Sequence, residues 1–420
     1  MKLKTKNQTQ REQQIFDIST MAAGDFKIHD LLDKLAEAAV EATKTIACSI
    51  RLLDEEGKEL AMRSTYGLSD EYRNKGVVSR HDEVIDAAFE GDAVVIDNMQ
   101  DDRRVKYPQA AKKEGLVSQL TVAMTFRNMK IGVLRLYSPK AKHFDEDTVA
   151  IARLVAAQCA IAISNARFYA KAVEGAKMKE QVRLAGIIQR RMIPRQAPEI
   201  NKLDLAAVYN PCFEVGGDLY DFIKLDDHTL AVAMADVIGK GIPAAIMMSM
   251  FRGTLRAYAD GGHHRHSMAE IVDKLNKVSF NECNDGEFIT LFLAKIDTKE
   301  MKMTYCNCGH EPGLLVRQNN ILELDKGGLV LGVLEDAEYE IATVDLAQCD
   351  HLIIYTDGLV DAVDFDGELW GKDRMYQAIS RYIGCPSADQ MIRRLLGYRR
   401  RFVGLARQTD DTSVVAIRVG

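Results

Sequence analysis

One stretch limits the fold of this chain more than any other. From about 147 to 193 the sequence has no proline and only two glycines, Gly175 and Gly186. A continuous helix over it would be roughly 70 Å long at 1.5 Å per residue. Asp145 or Asp147 can cap its start, and Pro194 and Pro198 end it. Met178, Val182, Ala185, Ile188 and Met192 follow at spacings of 4, 3, 3 and 4, close to a coiled-coil seam. Ile161, Asn165, Phe168 and Ala172 carry the same seam upstream. Two arrangements satisfy it: a helix packed on its own domain, or a dimeric signalling helix that couples two domains. The second is expected from the seam; separately, a chain of 420 residues is too long for one typical core, so two or three domains are expected. The divisions that follow are a polar lead-in at 1–25, a first domain at 26–170, a helical linker at 171–197 and a second domain at 198–420.

Composition excludes several classes. Hydrophobic residues at 47% and charged residues at 28% are ordinary for a soluble globular protein. A net charge of -6 offers no basic field for nucleic acid. No apolar run approaches the roughly 20 residues that span a bilayer, so no membrane partner is expected. The opening MKLKTKNQTQREQQ lacks the apolar core of a signal peptide. Eight cysteines lie scattered without a disulfide-like framework; reduced thiols and a cytoplasmic location are expected.

In the first half, LLDKLAEAAVEA after His29 has apolar residues at helical spacing. IACSIRLL at 46–53 reads as a strand, DEEG as a turn and 59–66 as the returning strand. A short strand at 94–96 follows, and QLTVAMTF at 119–126 pairs with KIGVLRLY at 130–137 across a tight connection at 127–129. The segment HFDEDTVAIARLVAAQCAIAISNARFY then opens the long helix. This succession resembles a GAF domain over about 26–170, most specifically at 144–169. GAF domains are sensory α+β modules that often bind a small ligand and often dimerise. The resemblance implies a small ligand of unknown identity, and a homodimer through this domain and the linker helix. Its candidate pocket region at 63–99 has no cysteine for a bilin and no clear cyclic-nucleotide signature. Cys48, on a strand, is expected in the core.

The second half is organised around VGGDLYDFIKLDDHTLAVAMADVIGKGIPAA at 215–245. Asp218 follows a Gly–Gly pair, and Asp236 closes the apolar run 230–235. A turn bracketed by Gly239 and Gly241 leads into a helix at Pro243. The pattern predicts a β-hairpin running into a helix, with carboxylates at strand ends and glycines that admit close backbone approach. Ordinary turn acids would look the same. Downstream, LIIYTDGLVDA ends a buried strand at Asp357 and Gly358, and TDDTSVVAIRV carries Asp410 and Asp411 into the last strand. Carboxylates converging at one end of a sheet repel unless a cation neutralises them. Hard oxygen ligands favour Mg²⁺ or Mn²⁺ over zinc, and two such ions activate water for in-line displacement at phosphorus. The loop GGHHRH is read as solvated histidines.

GGDLYDF, ADVIGKGIPAA, FITLF, CNCGHEP, GGLVLGVL, YTDGLVDA and DDTSVV occur in that order, preceded by IIQRRMIP. Together they resemble the sporulation-E/RsbU-like branch of the metal-dependent (type 2C, PPM) protein phosphatases over about 187–420. The resemblance implies an α+β chain: an N-terminal GAF domain, a long coiled-coil-like helical linker and a C-terminal αββα sandwich phosphatase domain. It implies a centre of two Mn²⁺ or Mg²⁺ ions that hydrolyses phosphoserine or phosphothreonine. By resemblance Asp236 bridges both metals and Val237 offers its backbone carbonyl. Asp357 and Asp410 are ligands of the second metal, Asp218 binds through water, and Asp411 completes the closing pair. Asp236 and Asp218 are the catalytic candidates. Asp221 and Asp361 are candidates for an outer shell, with capping or surface roles equally open. The implied substrate is a phosphorylated STAS-type anti-sigma antagonist in a partner-switching pathway.

The sequence departs from that pattern in places. Ile238 stands where eukaryotic members have a histidine, so the leaving group would be protonated by water. No arginine matches a fixed phosphate clamp. Cys306, Cys308 and His310 alternate along a strand, which is compatible with a soft-metal site, but a structural role is expected. Cys349 stands where glycine is common and reads as turn variation. GGDLYD is similar to the hairpin of diguanylate cyclases, but Asp218–Leu219 breaks the acid pair of that signature. A non-catalytic scaffold is the remaining alternative, and the retained acids argue against it.

Overall fold

The computed structural model describes residues 28–54, 59–76, 78–262, 266–318, 320–381 and 384–420. The lead-in, most of the DEEG turn, and His263 and His264 lie outside these residues. The chain divides into two compact units, 1–176 and 177–420.

The first unit contains α1 (Ile28–Thr43), β1 (Ala47–Leu53), β2 (Leu60–Tyr66), α2 (Asp70–Arg73), α3 (Glu83–Gly91), β3 (Ala93–Ile96), α4 (Pro108–Lys113), β4 (Ser118–Phe126) and β5 (Met129–Ser138). Its antiparallel sheet has the order β2-β1-β5-β4-β3. The β4–β5 hairpin turns on Arg127 and Asn128, both at positive φ, the geometry that suits the twist of paired strands. Strand alternation sends Cys48, Ile50, Leu52, Leu134 and Leu136 to one face, where they pack with Leu35, Val155, Cys159 and Ile163. Cys48 is therefore a core residue, as expected.

The long helix, α5, spans Glu146–Gln189. By length and composition one window of it is apolar enough to cross a bilayer. Ala152, Val155, Ala156, Cys159, Ala160 and Ile163 are instead buried in the core of the first unit, which accounts for the apolar run. Ile161, Phe168, Met178 and Ile188 of the seam are exposed. The helix stops at Gln189, short of Pro194. There the Gln189 amide turns to the backbone of Gly216, accepting from its N–H at 3.0 Å and donating to its carbonyl at 2.7 Å.

The second unit continues with β6 (Leu203–Asn210), β7 (Leu219–Lys224), β8 (Thr229–Val237), α6 (Ile242–Gly262), α7 (Met268–Glu282), β9 (Ile289–Asp297), β10 (Lys302–Cys308), β11 (Gly313–Arg317), β12 (Asn320–Leu324), β13 (Gly327–Gly328), β14 (Ala342–Asp345), β15 (His351–Tyr355), a 3₁₀ turn (Asp357–Leu359), α8 (Gly371–Arg381), α9 (Ala388–Val403) and β16 (Thr412–Val419). One sheet has the order β13-β10-β9-β8-β7, with β14 on β10, and the other β12-β11-β15-β16-β6. Leu315, Leu352, Ile354, Val415 and Ile417 share a core with Val232 and Leu293 of the first sheet. The alternate residues Ile353, Tyr355, Val414 and Ala416 pack outward on Met375, Ile379, Met391 and Leu395 of α8 and α9. On the opposite side α6 packs on β7 and β8. The result is an αββα sandwich. Helix α6 starts one residue earlier than expected, at Ile242, because proline is tolerated in a first turn.

Candidate metal centre

Two pairs of neighbouring strand ends, one from each sheet, build the site. The β7–β8 register pairs Leu219 with Ala235, so Asp218 and Asp236 stand opposite each other one step beyond. In the other sheet Tyr355 pairs with Val414, and the chain leaves β15 through Thr356 and Asp357 as it enters β16 through Asp410 and Asp411. Asp218 is 2% exposed. Its Oδ2 accepts from the hydroxyls of Thr356 and Ser413, each at 2.7 Å, so the second sheet holds an acid carried by the first. Burial, then the charge of Asp236, pushes its pKa well up.

Asp236 is pushed up to about 7, first by burial, then by Asp357, Asp410 and Asp411. Asp357 is raised by burial, Asp410 and Asp361. Asp411 spends both oxygens on backbone: Oδ1 accepts from Cys212 N at 2.7 Å and Oδ2 from Gly217 N at 2.8 Å. Asp410 accepts from the Asp411 N–H at 2.9 Å and pairs with Lys240 at 2.8 Å. The glycines of the motifs are sized by these approaches. A Cβ on Gly216 would lie 2.1 Å from Asp411 Oδ2, one on Gly217 2.8 Å from Val237 O, and one on Gly358 1.9 Å from Asp411 O.

The structure thus gathers Asp218, Asp236, Asp357, Asp410 and Asp411, with the Val237 carbonyl turned toward the Gly–Gly turn. Among the described residues no three acid, imidazole or thiol groups close on a single point, so the set is open rather than a tight cage. Its chemistry still fits divalent ions. The donors are all oxygen, and buried carboxylates that raise one another carry the repulsion a hard cation relieves. Asp361 sits in the same acidic field, raised by burial, Glu311 and Asp410.

Asp221 does not belong to it and is neither a surface nor an outer-shell acid. Its side chain is fully buried and takes Arg256 at 2.6 and 2.7 Å and Arg252 at 3.2 Å. Alternation explains this: Asp221 lies on the face of β7 that meets α6. For CNCGHEP the expected structural role fits better than a soft-metal site, since among the described residues no three thiol, imidazole or acid groups close there. Cys306 and Cys308 sulfurs are 3.8 Å apart, while His310 Nδ1 bonds Thr290 Oγ1 at 2.7 Å. Burial pushes His310 down to about 4, so it is neutral. Asn307 brackets its backbone, accepting from His310 N at 2.7 Å. Cys349 adopts φ 68°, a left-handed turn position that favours glycine.

Several contributors escaped the sequence. Thr356, Ser413 and Lys240 hold the acids, Gln189 holds Gly216, and half-buried Arg399 donates to the Gly358 carbonyl at 2.9 Å. Lys240, inside the glycine-bracketed turn, was the one with a local signal.

Two face-to-face sheets flanked by helices, with carboxylates gathered at one end, make up the fold expected of the PP2C-type phosphatases. The family profile of Stage II sporulation protein E (SpoIIE) matches residues 226–420, and that of the GAF domain matches 27–164. The phosphoserine phosphatase RsbU of Bacillus subtilis is 30% identical over 244 residues, covering 58% of this chain and 71% of RsbU. The phosphoserine phosphatase RsbP of the same organism is 27% identical over 186 residues, covering 44% of this chain and 46% of RsbP. The SiaA-PP2C domain of Pseudomonas aeruginosa has the same fold, with a TM-score of 0.53 at 19% identity over 59% of this chain and 100% of that one. The chain belongs to the SpoIIE/RsbU family of PP2C-type phosphatases and carries a GAF domain ahead of its phosphatase domain.

Proposed function

We propose that residues 198–420 act as a Mn²⁺- or Mg²⁺-dependent protein serine/threonine phosphatase, governed by the GAF domain at 26–170 through the linker at 171–197. The observation that carries this reading is Asp236, half-buried at the end of β8 and repelled by Asp357, Asp410 and Asp411 at once. Two ions would be held by Asp236, the Val237 carbonyl, Asp357 and Asp410, with Asp218 and Asp411 behind them. When bound, such ions supply a nucleophilic water and draw charge from the phosphoryl oxygens. Asp218, fixed by Thr356 and Ser413, sets the position of Asp236. Asp411 closes the Gly–Gly turn and keeps the metal-facing carboxylates in register. Lys240 places a cation at the rim beside Asp410, where it attracts a phosphorylated side chain. Ile238 supplies no proton, so the leaving hydroxyl takes one from solvent.

The names of RsbU and RsbP support phosphoserine as the substrate group. The partner is proposed to be a phosphorylated STAS-type anti-sigma antagonist in the cytoplasm. The exposed seam of Ile161, Phe168, Met178 and Ile188 supports a homodimer through α5. Gln189, at the end of that helix, grips Gly216 two residues before Asp218 and offers a direct path for the signal. Hydrolysis of phosphoserine peptides and phospho-STAS proteins with Mn²⁺, and its loss with chelator, tests the reading. No hydrolysis of any of them, with either metal, contradicts it.

A further inference from the structure

The sheet of the first unit has two buried faces of unlike chemistry. One is the apolar face against α1 and α5. On the other, alternation places Ser49 and Arg51 of β1, Gln119 of β4, and Arg135 and Tyr137 of β5. Arg135 stands directly across from Ser49, and Arg51 lies two positions along, so the two guanidinium groups are diagonal neighbours. Arg51 is 5% exposed and Arg135 7%. A charge buried this far is normally paired. Here the Nε of each has no hydrogen-bond partner.

The charges around them do not balance. Among the described residues, the lining of the cavity beside Arg135 carries Lys75, Arg104, Lys106 and Arg135 against one carboxylate, Asp82, with Glu114 acting on Lys75 from outside it. Arg104 is taken by Asp102 at 2.6 Å. Asp82 attracts Arg51 but is shared with Lys106 at 3.9 Å. Lys75 lies 3.4 Å from the Tyr72 ring centroid and donates to the Tyr72 carbonyl. Burial and repulsion from Arg51 and Arg135 bring it down to about 7. The cavity measures about 30 Å³. That is room for a small oxyanion group, and far too little for a nucleotide base or a tetrapyrrole.

We propose that this cavity is a receptor for a small metabolite oxyanion, a carboxylate or a phosphate group, gripped by Arg135 on the cavity wall and backed by the charge of Arg51 beside it. Guanidinium forks match both groups in bidentate geometry. The inference specifies the ligand of the sensory domain and does not depend on the phosphatase reading. It also supplies a route outward. Leu134 and Leu136 flank Arg135 on β5 and face the core that contains Val155, Cys159 and Ile163 of α5. An anion that fixes Arg135 therefore acts one residue away from contacts with the signalling helix.

The test is calorimetric titration of the full chain with acetate and, separately, inorganic phosphate, alongside thermal unfolding. Saturable binding of at least one is expected, with a raised melting temperature, and which one binds identifies the group. Arg135→Gln and Arg51→Gln should each weaken binding at least about tenfold. Without ligand, Arg135→Gln should melt at or above the wild-type temperature, because it removes an unpaired buried charge. The proposal is overturned if neither anion binds at millimolar concentration, or if both variants bind like wild type. It is equally overturned if ligand-free Arg135→Gln melts several degrees lower, which would make the arginine a structural strut. None of these readouts uses turnover, so they stand whether or not the phosphatase reading does.

Discussion

Replacing Asp221 by asparagine separates structural acids from those of the metal centre. The carboxylate is fully buried and carries two arginines of α6, one of them bidentate. Asparagine keeps the shape but removes the charge, leaving Arg252 and Arg256 facing each other. Breaking a fully buried pair by removing one partner costs about 3–5 kcal/mol. Here the arginine side chains remain 20% and 38% exposed, so water softens the loss to about 2–3 kcal/mol. For a domain of this size each kcal/mol moves the melting temperature by about 2–4 °C, so the phosphatase transition should fall by about 5–10 °C. Calorimetry or circular dichroism reads the transition, and p-nitrophenyl phosphate turnover against Mn²⁺ reads the site. Well below the transition, turnover and the half-saturating Mn²⁺ concentration should stay within about twofold of wild type. Unchanged melting with a Mn²⁺ requirement shifted tenfold or more would return Asp221 to the metal centre and refute the assignment.

Gln189→Ala strips the Gly216 N–H and carbonyl of their partners, a loss of about 1–3 kcal/mol. It should raise the half-saturating Mn²⁺ concentration and lower turnover, and wild-type values in a Mn²⁺ titration would remove Gln189 from the signal path. His310 sits at about 4 in the folded chain against about 6.5 unfolded. Between those values the unfolded chain binds a proton that the folded chain refuses, so stability falls as pH drops from about 6.5 to 4, by up to about 1.4 kcal/mol per unit. His310→Gln should flatten that slope in urea unfolding at stepped pH, and an equal slope in both proteins would show that His310 does not titrate there. Val182→Asp in the helix seam should shift sedimentation from dimer toward monomer and alter turnover of the full chain. Unchanged association and turnover would count against coupling through α5.

The acids of the candidate site were legible because all stand at strand ends, Asp218 and Asp357 directly beside a glycine, a local pattern. Their partners were not. Thr356 and Ser413 reach Asp218 across 138 and 195 residues, and an uncharged hydroxyl in an apolar strand announces nothing. Asp221 was left open between outer shell and surface because its fate depends on Arg252 and Arg256. These lie four apart on a helix whose Phe251 and Leu255 are buried, and such a pair beside an apolar stripe signals a buried acid. The same kind of signal stood in IACSIRLL and KIGVLRLY, each with one arginine in an otherwise apolar strand. Period-two reading assigns both to one face, but only the strand order puts β1 beside β5 and makes them neighbours. The long helix was legible from its lack of proline; its end at Gln189 was not, because a tertiary contact with Gly216 sets it.

Asp236 is the proposed centre of a metal-dependent phosphatase. Phosphoserine-peptide hydrolysis by the full chain, titrated with Mn²⁺ and compared with Asp236→Asn, tests it most directly. Turnover should appear with Mn²⁺, vanish with chelator, and drop by at least about a hundredfold in the variant even at saturating metal. Turnover that ignores Mn²⁺, or an Asp236→Asn protein as active as wild type, would contradict it.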